Sequence, residues 1–311
     1  MLIAPATATR IADPAQAARL MRLATYASVA VAAVLIVAKA AAWELTDSVS
    51  VLSSLLDSLL DAAASLVNLL AVRHALTPAD REHRFGHGKA EPLAGLAQAA
   101  FITGSALLLA SEAAHRLFSP QPIAYGAIGI AAMVLSILAT VGLVVFQRRV
   151  VAKTGSVAVG ADSLHYASDF LLNGSVIVSI LLTGWLGWQW IDPVFGIAIG
   201  MFILIGAWRI ARLSFNLLMD IELPDSDRDR IRALALAHPE VTNVHDLRTR
   251  SAGPDIFIQM HLEMNGEMPL RRAHEVADQV ESEILAAFPN AEVIIHQDPE
   301  GVAETRKSFA R

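Results

Sequence analysis

The sequence predicts an α-helical membrane protein with six transmembrane helices, followed by a C-terminal α+β domain of order αββαβ on the cytoplasmic side. Three observations carry this expectation. Of 311 residues, 54% are hydrophobic and the mean hydropathy is +0.48, too apolar for an ordinary soluble chain. Six apolar runs are each long enough, at ~1.5 Å per residue, to cross a ~30 Å hydrocarbon core. From Glu222 onward the composition becomes soluble, and the apolar residues fall into short helical and alternating patterns.

The spans read, in order, as about 22–43, 49–73, 92–114, 123–147, 158–183 and 194–214. The N-terminal lead MLIAPATATRIADPAQAARLMR lacks a signal-peptide layout, since its charges straddle a polar, Ala-rich stretch, and no cleavage is expected. Lys39 stands near one end of the first span, where its ammonium can snorkel to the interface. Loop charges set the orientation. Arg10, Arg19 and Arg22 precede the first span. Arg73, Arg81, Arg84 and Lys89 lie in the second loop, Arg148, Arg149 and Lys153 in the fourth, and Arg209 and Arg212 at the end of the sixth span. The first and fifth loops hold no Lys or Arg, and the third only Arg116, so both termini are expected in the cytoplasm. Trp185, Trp188 and Trp190 in the fifth loop suit the opposite interface.

In the soluble part, LPDSDRDRIRALALAHP reads as a helix opened by Pro and an acidic first turn. VTNVHDLRTRSAGP and DIFIQMHLEM read as strands, the second placing Ile256, Ile258, Met260, Leu262 and Met264 on one face. PLRRAHEVADQVESEILAAFP is an amphipathic helix and AEVIIHQDP a last strand, which together make a small open-faced α+β sandwich.

Several function classes drop out. A net charge of −6 without a basic cluster apart from the membrane loops argues against nucleic acid. With no cysteine, disulfides, thiolate catalysis and thiolate metal sites are excluded, so a metal site must be built from His, Asp, Glu, Asn or Gln. That donor set suits Zn²⁺, Fe²⁺, Mn²⁺ or Cd²⁺ rather than Cu⁺. An intramembrane metallohydrolase would need an open metal position, a general base and commonly HExxH, and this sequence offers none of these.

The polar residues inside the spans carry the chemistry. Asp57 and Asp61, in SVSVLSSLLDSLLDAAASLVNLLAVR, share one helical face, and each costs roughly 2.5–3.5 kcal/mol to insert unless compensated. His165 and Asp169, in ADSLHYASDFLLNG, repeat the spacing of four on the fifth span. Counted from the cytoplasmic ends of two antiparallel helices, Asp61 lies ~18 Å and Asp169 ~16 Å deep. Three carboxylates and an imidazole can therefore meet near mid-membrane as a closed tetrahedral Zn²⁺-type site. Asp162, one turn nearer the cytoplasm, either lines the entrance to that site or is merely solvated. In the second loop, TPADREHRFGHGKAEP sets Asp80, His83 and His87 at spacings of three and four, with Gly86 and Gly88 letting the backbone turn. Loop histidines are usually just solvated, so spacing alone would favour that reading over a ligand set. The soluble domain adds His245, His261, His274 and His296-Gln297-Asp298, which can converge from three strands and a helix or lie scattered on the surface. His74, His115 and His238 are assigned no role.

The segments LLDSLLDAAASLVNLL, FGHGKAE, ADSLHYASD, HDLRTRSAGP, IQMHLEM, HEVADQVE and VIIHQDP together resemble the cation diffusion facilitator family, over essentially Arg19 to Pro299. The resemblance implies efflux of a divalent cation (Zn²⁺, with Fe²⁺ and Cd²⁺ as further candidates) by proton antiport and alternating access, in a secondary active transporter rather than an enzyme. It places the transport site on Asp57, Asp61, His165 and Asp169, and a loop site on Asp80, His83 and His87. A cytoplasmic two-metal site falls on His245, His261, His274, His296, Gln297 and Asp298. It further implies an interprotomer charge interlock at Lys89 and Asp220 and a hydrophobic gate at Leu164. Its organisation is a cytoplasmic tail over 1–20, a transport domain over 21–220, a metallochaperone-like metal-binding dimerisation domain over 221–299 and a disordered tail over 300–311. A homodimer in the bacterial inner membrane follows, with lipid, metal ions and protons as its other partners. The competing expectation is a membrane metal sensor that does not transport, though such a module has no need of charged pairs inside two spans.

Overall fold

The structure, a computed structural model, describes residues 13–47, 49–118, 127–186, 188 and 190–302. The N-terminal lead up to residue 12 and the tail beyond 302, for which disorder was expected, lie outside the described residues. Among the described residues, six helices long and apolar enough to cross a membrane come first, and a small α+β unit follows. The contacts within the chain divide it into two units, with the division between Met219 and Asp220.

The membrane unit consists of α1 (Pro14–Thr46), α2 (Val49–Ala75), α3 (Ala90–Phe118), α4 (Ala127–Thr154), α5 (Val157–Leu186) and α6 (Ile191–Leu218). Pro14 opens α1, a position where its missing N–H is no loss. That helix therefore begins well before its apolar run. α3 packs chiefly on α6, and α5 lies against both α4 and α6. The α3–α5–α6 core is built from Ala99, Ile102, Ala106, Ala161, Ala207 and their neighbours. Small residues let these backbones approach closely, which is how helices gain dispersion energy where lipid offers no hydrophobic contrast. Leu56, Leu59, Leu60, Leu66, Val67 and Leu70 leave one side of α2 exposed within the chain, as a lipid-facing or subunit-facing stripe requires.

The second unit contains α7 (Asp225–Leu236), β1 (Asn243–Ala252), β2 (Asp255–Met264), α8 (Leu270–Ala287) and β3 (Ala291–Pro299). This is the αββαβ order the sequence predicts. The sheet order is β1-β2-β3, antiparallel between β1 and β2 and parallel between β2 and β3. The parallel pair needs a crossover, which α8 supplies. Ile256, Ile258, Met260, Leu262 and Met264 are all buried and form the core with Ile231 of α7 and Val276, Val280 and Ile284 of α8. Acidic Asp225 and Asp227 in the first turn of α7 suit the positive end of its dipole. A register shift between His245 and Arg248 holds Asp246 at φ 47°, a left-handed conformation that Asp tolerates better than most residues.

Candidate metal centres

α2 and α5 are joined by polar rungs that fix an antiparallel register. Asn68 Nδ2 donates to the Ala158 carbonyl at 3.3 Å, Ser65 Oγ reaches Asp162 Oδ1 at 3.4 Å, and Asp61 Oδ1 stands 3.0 Å from His165 Nε2. Each step of about one turn back along α2 is matched by one turn forward along α5. The next step along this register brings Asp57 toward Asp169 without a direct contact, and the two carboxyls interact electrostatically. The i, i+4 spacing in each helix thus becomes a ladder between two helices.

At the centre of this ladder the ligand atoms of Asp61, His165 and Asp169 lie within 4.8 Å of one another. His165 Nε2 is 3.0 Å from Asp61 Oδ1 and 3.7 Å from Asp169 Oδ2, yet it makes no hydrogen bond of acceptable geometry. A buried nitrogen aimed between two carboxylates is an unsatisfied group in a bilayer, and a divalent cation would satisfy all three side chains at once. Asp57 is exposed within the chain and stands outside that three-residue cluster. Leu164, beside His165, is buried against α6, where a Cβ on Gly206 would sit 2.7 Å from its Cδ2.

Two polar residues near this cluster behave differently from their sequence expectations. Lys39 does not snorkel outward: its Nζ donates to Ser58 Oγ at 2.6 Å and to the Ser54 carbonyl at 3.1 Å, both on α2. There its charge interacts with Asp57, Asp61 and Asp169. Hydropathy indicates how deep a lysine lies but not which helix it faces. Asp162 is not solvated, being only 1% exposed. It accepts hydrogen bonds from Ser28 of α1, Ser65 of α2, Gln98 of α3 and Gln147 of α4. Tyr166 joins the same network through Ser65 Oγ at 2.9 Å and the Ser28 carbonyl at 3.2 Å. None of these partners forms a motif in the sequence, since each comes from a different helix.

The loop residues also converge. Asp80 Oδ1 accepts from the backbone N–H groups of Glu82 and His83 at 2.9 and 2.6 Å. The His83 amide above all holds its carboxyl below the usual carboxylate range. His83 Nδ1 is 3.5 Å from Asp80 Oδ1 and His87 Nε2 is 3.4 Å from Asp80 Oδ2. Gly86 takes φ 76°, the left-handed turn that brings His87 back beneath Asp80. Lys89 Nζ lies 3.5 Å from the Leu218 carbonyl.

In the soluble unit the strand register does the gathering. His261 faces His245 across the antiparallel pair and His296 across the parallel pair. All three imidazoles surround Asp298: His261 Nδ1 and His245 Nε2 lie 2.8 and 3.0 Å from Oδ2, and His296 Nε2 lies 3.1 Å from Oδ1. Burial pushes the Asp298 carboxyl up, but the His261 hydrogen bond and the charges of the three imidazoles outweigh it and hold it below its usual range. His245 Nδ1 is buried without a hydrogen-bond partner, 2.9 Å from Glu263 Oε1. Two imidazoles, one of them carrying that orphaned nitrogen, and a carboxylate fit a Zn²⁺-type ion. Glu263 and Asp246 (Oδ2 3.8 Å from His261 Nε2) join this face unanticipated. The alternation His261-x-Glu263 was the available signal for the first, while the bulge that turns Asp246 had none. His274 stays apart, exposed on α8 and 3.5 Å from Asp278. Gln297 pairs in register with Leu262, on the core side of the sheet away from His261 and Asp298. Asp220 takes φ 56° and pairs with Arg250 at 3.4 Å.

Comparison with known proteins agrees with this architecture. Residues 25–219 match the cation efflux transmembrane domain, and residues 223–300 match the cytoplasmic domain of cation efflux proteins. The chain is 49% identical over 284 residues to the cation-efflux pump FieF of Klebsiella pneumoniae subsp. pneumoniae, covering 91% of this chain and 94% of the relative. It is 50% identical over 281 residues to the FieF pump of Salmonella agona, covering 90% and 93%. The metal-bound C-terminal domain of the CzcD transporter from Thermotoga maritima is 35% identical over 25% of this chain and 93% of that domain, with a TM-score of 0.25. With one family model spanning most of the chain and relatives near half identity along almost all of it, the protein belongs to the cation efflux family, the cation diffusion facilitators, and is a multi-pass membrane protein.

Proposed function

We propose that this protein exports a divalent metal cation from the cytoplasm in exchange for protons, by alternating access, with Asp57, Asp61, His165 and Asp169 as its transport site. The observation that carries the proposal is His165 Nε2, buried without a hydrogen bond between the carboxylates of Asp61 and Asp169. Binding requires those groups deprotonated, so cation and protons compete for the same atoms. Zn²⁺ suits the donor set, and the all-carboxylate pair on α2 also admits Fe²⁺ and Cd²⁺. The protein works as a homodimer in the bacterial inner membrane, with both termini in the cytoplasm. Lys89 and Asp220 interlock the protomers, and Leu164, packed on Gly206, gates the site. The Asp80, His83 and His87 loop and the cluster around Asp298 hold further metal ions, the latter with His274 at the edge of a dimeric site.

The test is pH-gradient-driven Zn²⁺ flux into proteoliposomes. Asp61→Ala should abolish it while the dimer stays folded, and undiminished flux would overturn the assignment. The cytoplasmic histidine cluster favours a second reading, a membrane metal sensor. Absence of any flux in wild-type vesicles, with Zn²⁺ still bound by the protein, would favour that reading over the pump.

A further inference from the structure

We infer that His74 is the fourth ligand of the loop site, closing Asp80, His83 and His87 into a tetrahedral centre of three imidazoles and one carboxylate for Zn²⁺ or an ion of similar size. The inference rests on the reading of the loop as a metal site. His74 lies in the last turn of α2, and the loop carries His87 back to it from the far side, immediately before α3. The His74 and His87 rings stand 4.5 Å apart, centroid to centroid, at 61°. The His83 ring stands 4.6 Å from the same His87 ring. Three imidazoles are thus gathered beside one carboxylate, where chain direction alone would scatter them.

The three donors of Asp80, His83 and His87 lie within 4.8 Å of one another, and the His74 nitrogens stand outside that set. To join that set, a His74 nitrogen would have to be brought in by a change of side-chain rotamer. The backbone of His74 is fixed, since Thr77 donates to its carbonyl through both N–H (3.0 Å) and Oγ1 (2.6 Å). Its side chain is exposed, so no packing opposes a change of rotamer. His87 by contrast is buried, and its Nδ1 has no hydrogen-bond partner, a group whose cost calls for a compensating ligand nearby. Three protein donors leave a coordination position open to water and the ion readily exchangeable, whereas a fourth closes it. His74 would therefore decide whether this loop holds its ion tightly.

Co²⁺ titration of the full-length protein in detergent, followed by visible absorption and by competition with Zn²⁺, tests the idea, because four-coordinate Co²⁺ absorbs far more strongly than its five- or six-coordinate forms. His87→Ala should remove one equivalent of bound ion. His74→Ala should keep that equivalent but bind it at least about ten-fold more weakly, the low end of what even an outer-shell partner contributes. The strong absorption of that equivalent should be lost. His74→Phe keeps the ring contact without a nitrogen and should behave as the alanine variant does. If His87→Ala loses no equivalent, the loop is not a metal site and the underlying reading fails. If it does, but His74→Ala leaves absorption unchanged, His74 is not a ligand, whether or not affinity falls, and the inference is overturned. Retention of wild-type properties by His74→Phe would equally reject it in favour of ring stacking.

Discussion

Replacing Asp162 by alanine removes the acceptor on which four other helices converge, and the outcome can be worked out donor by donor. Ser28 Oγ and Gln147 Nε2 approach Oδ2 at 2.5 and 2.6 Å, while Gln98 Nε2 and Ser65 Oγ approach Oδ1 at 3.3 and 3.4 Å. The hydroxyls have alternatives: Ser28 can donate to the Ala24 carbonyl at 3.0 Å and Ser65 to the Tyr166 oxygen at 2.9 Å. Gln147 keeps the Ser28 hydroxyl at 2.9 Å, but Gln98 retains no comparable acceptor in this network. Both glutamines are buried, 0% and 6% exposed, so water does not replace the carboxylate. Orphaned buried donors cost about 1–3 kcal/mol each, and the vacated volume adds to that, giving a loss of about 3–5 kcal/mol. Asp162→Asn preserves shape and one acceptor, and once the Gln147 amide turns over, the new NH₂ can donate to Gln147 Oε1 in place of the Nε2 that faces Oδ2 at 2.6 Å. That variant should cost about 1 kcal/mol or less. Thermal unfolding in detergent, followed by tryptophan fluorescence, should therefore drop by about 6–15 °C for alanine and by no more than about 4 °C for asparagine. An alanine variant within about 2 °C of wild type, or one indistinguishable from asparagine, would show that the network does not hold the bundle together.

Other perturbations probe the remaining contacts. Lys39→Met removes a positive charge that interacts with Asp57, Asp61 and Asp169, so Zn²⁺ should bind the transport site at least about ten-fold more tightly near pH 8. Isothermal calorimetry reads this directly, and weaker binding would refute the charge argument. Gly206→Ala brings a Cβ to 2.7 and 2.9 Å from the two Leu164 Cδ atoms and should destabilise the α5–α6 contact by about 1–3 kcal/mol. Adding Leu164→Ala should recover most of that in a double-mutant cycle, and strict additivity would mean that the two residues do not touch. Asp298 has its carboxyl held low by the imidazoles around it, so the native state releases that proton more readily than the unfolded chain. Its contribution to stability is complete above the ordinary carboxylate value of about 4 and fades as pH falls through the lowered native value. In metal-free denaturant titrations, wild type and Asp298→Asn should differ most above that pH and converge below it; a gap that widens on acidification would contradict the sign.

Much of the clustering of candidate ligands was legible because it obeys a period. A spacing of four stacks Asp57 on Asp61 and His165 on Asp169 whatever surrounds them, and depth along two antiparallel helices is fixed by rise per residue. Strand alternation likewise separates His261 from the core positions Met260 and Leu262. His74 was illegible for the opposite reason. It lies thirteen positions before His87, with a loop turn at Gly86 between them, and no period links the two.

The six spans, the αββαβ order of the second unit and the sets of residues with cation-binding donors can all be read along the chain. These are set by bilayer thickness, by side-chain period and by the chemistry of the donors present. Partners became visible only in the packed fold. It turned Lys39 inward to Ser58, made Asp162 a buried hub, joined Glu263 to the histidine face, and left Asp57 exposed beside the three-residue cluster. The reason is that pattern along a chain fixes which face of an element a residue occupies. Which neighbour that face meets depends on how each helix is rotated and how strands are paired, and that is settled by packing between segments far apart in sequence.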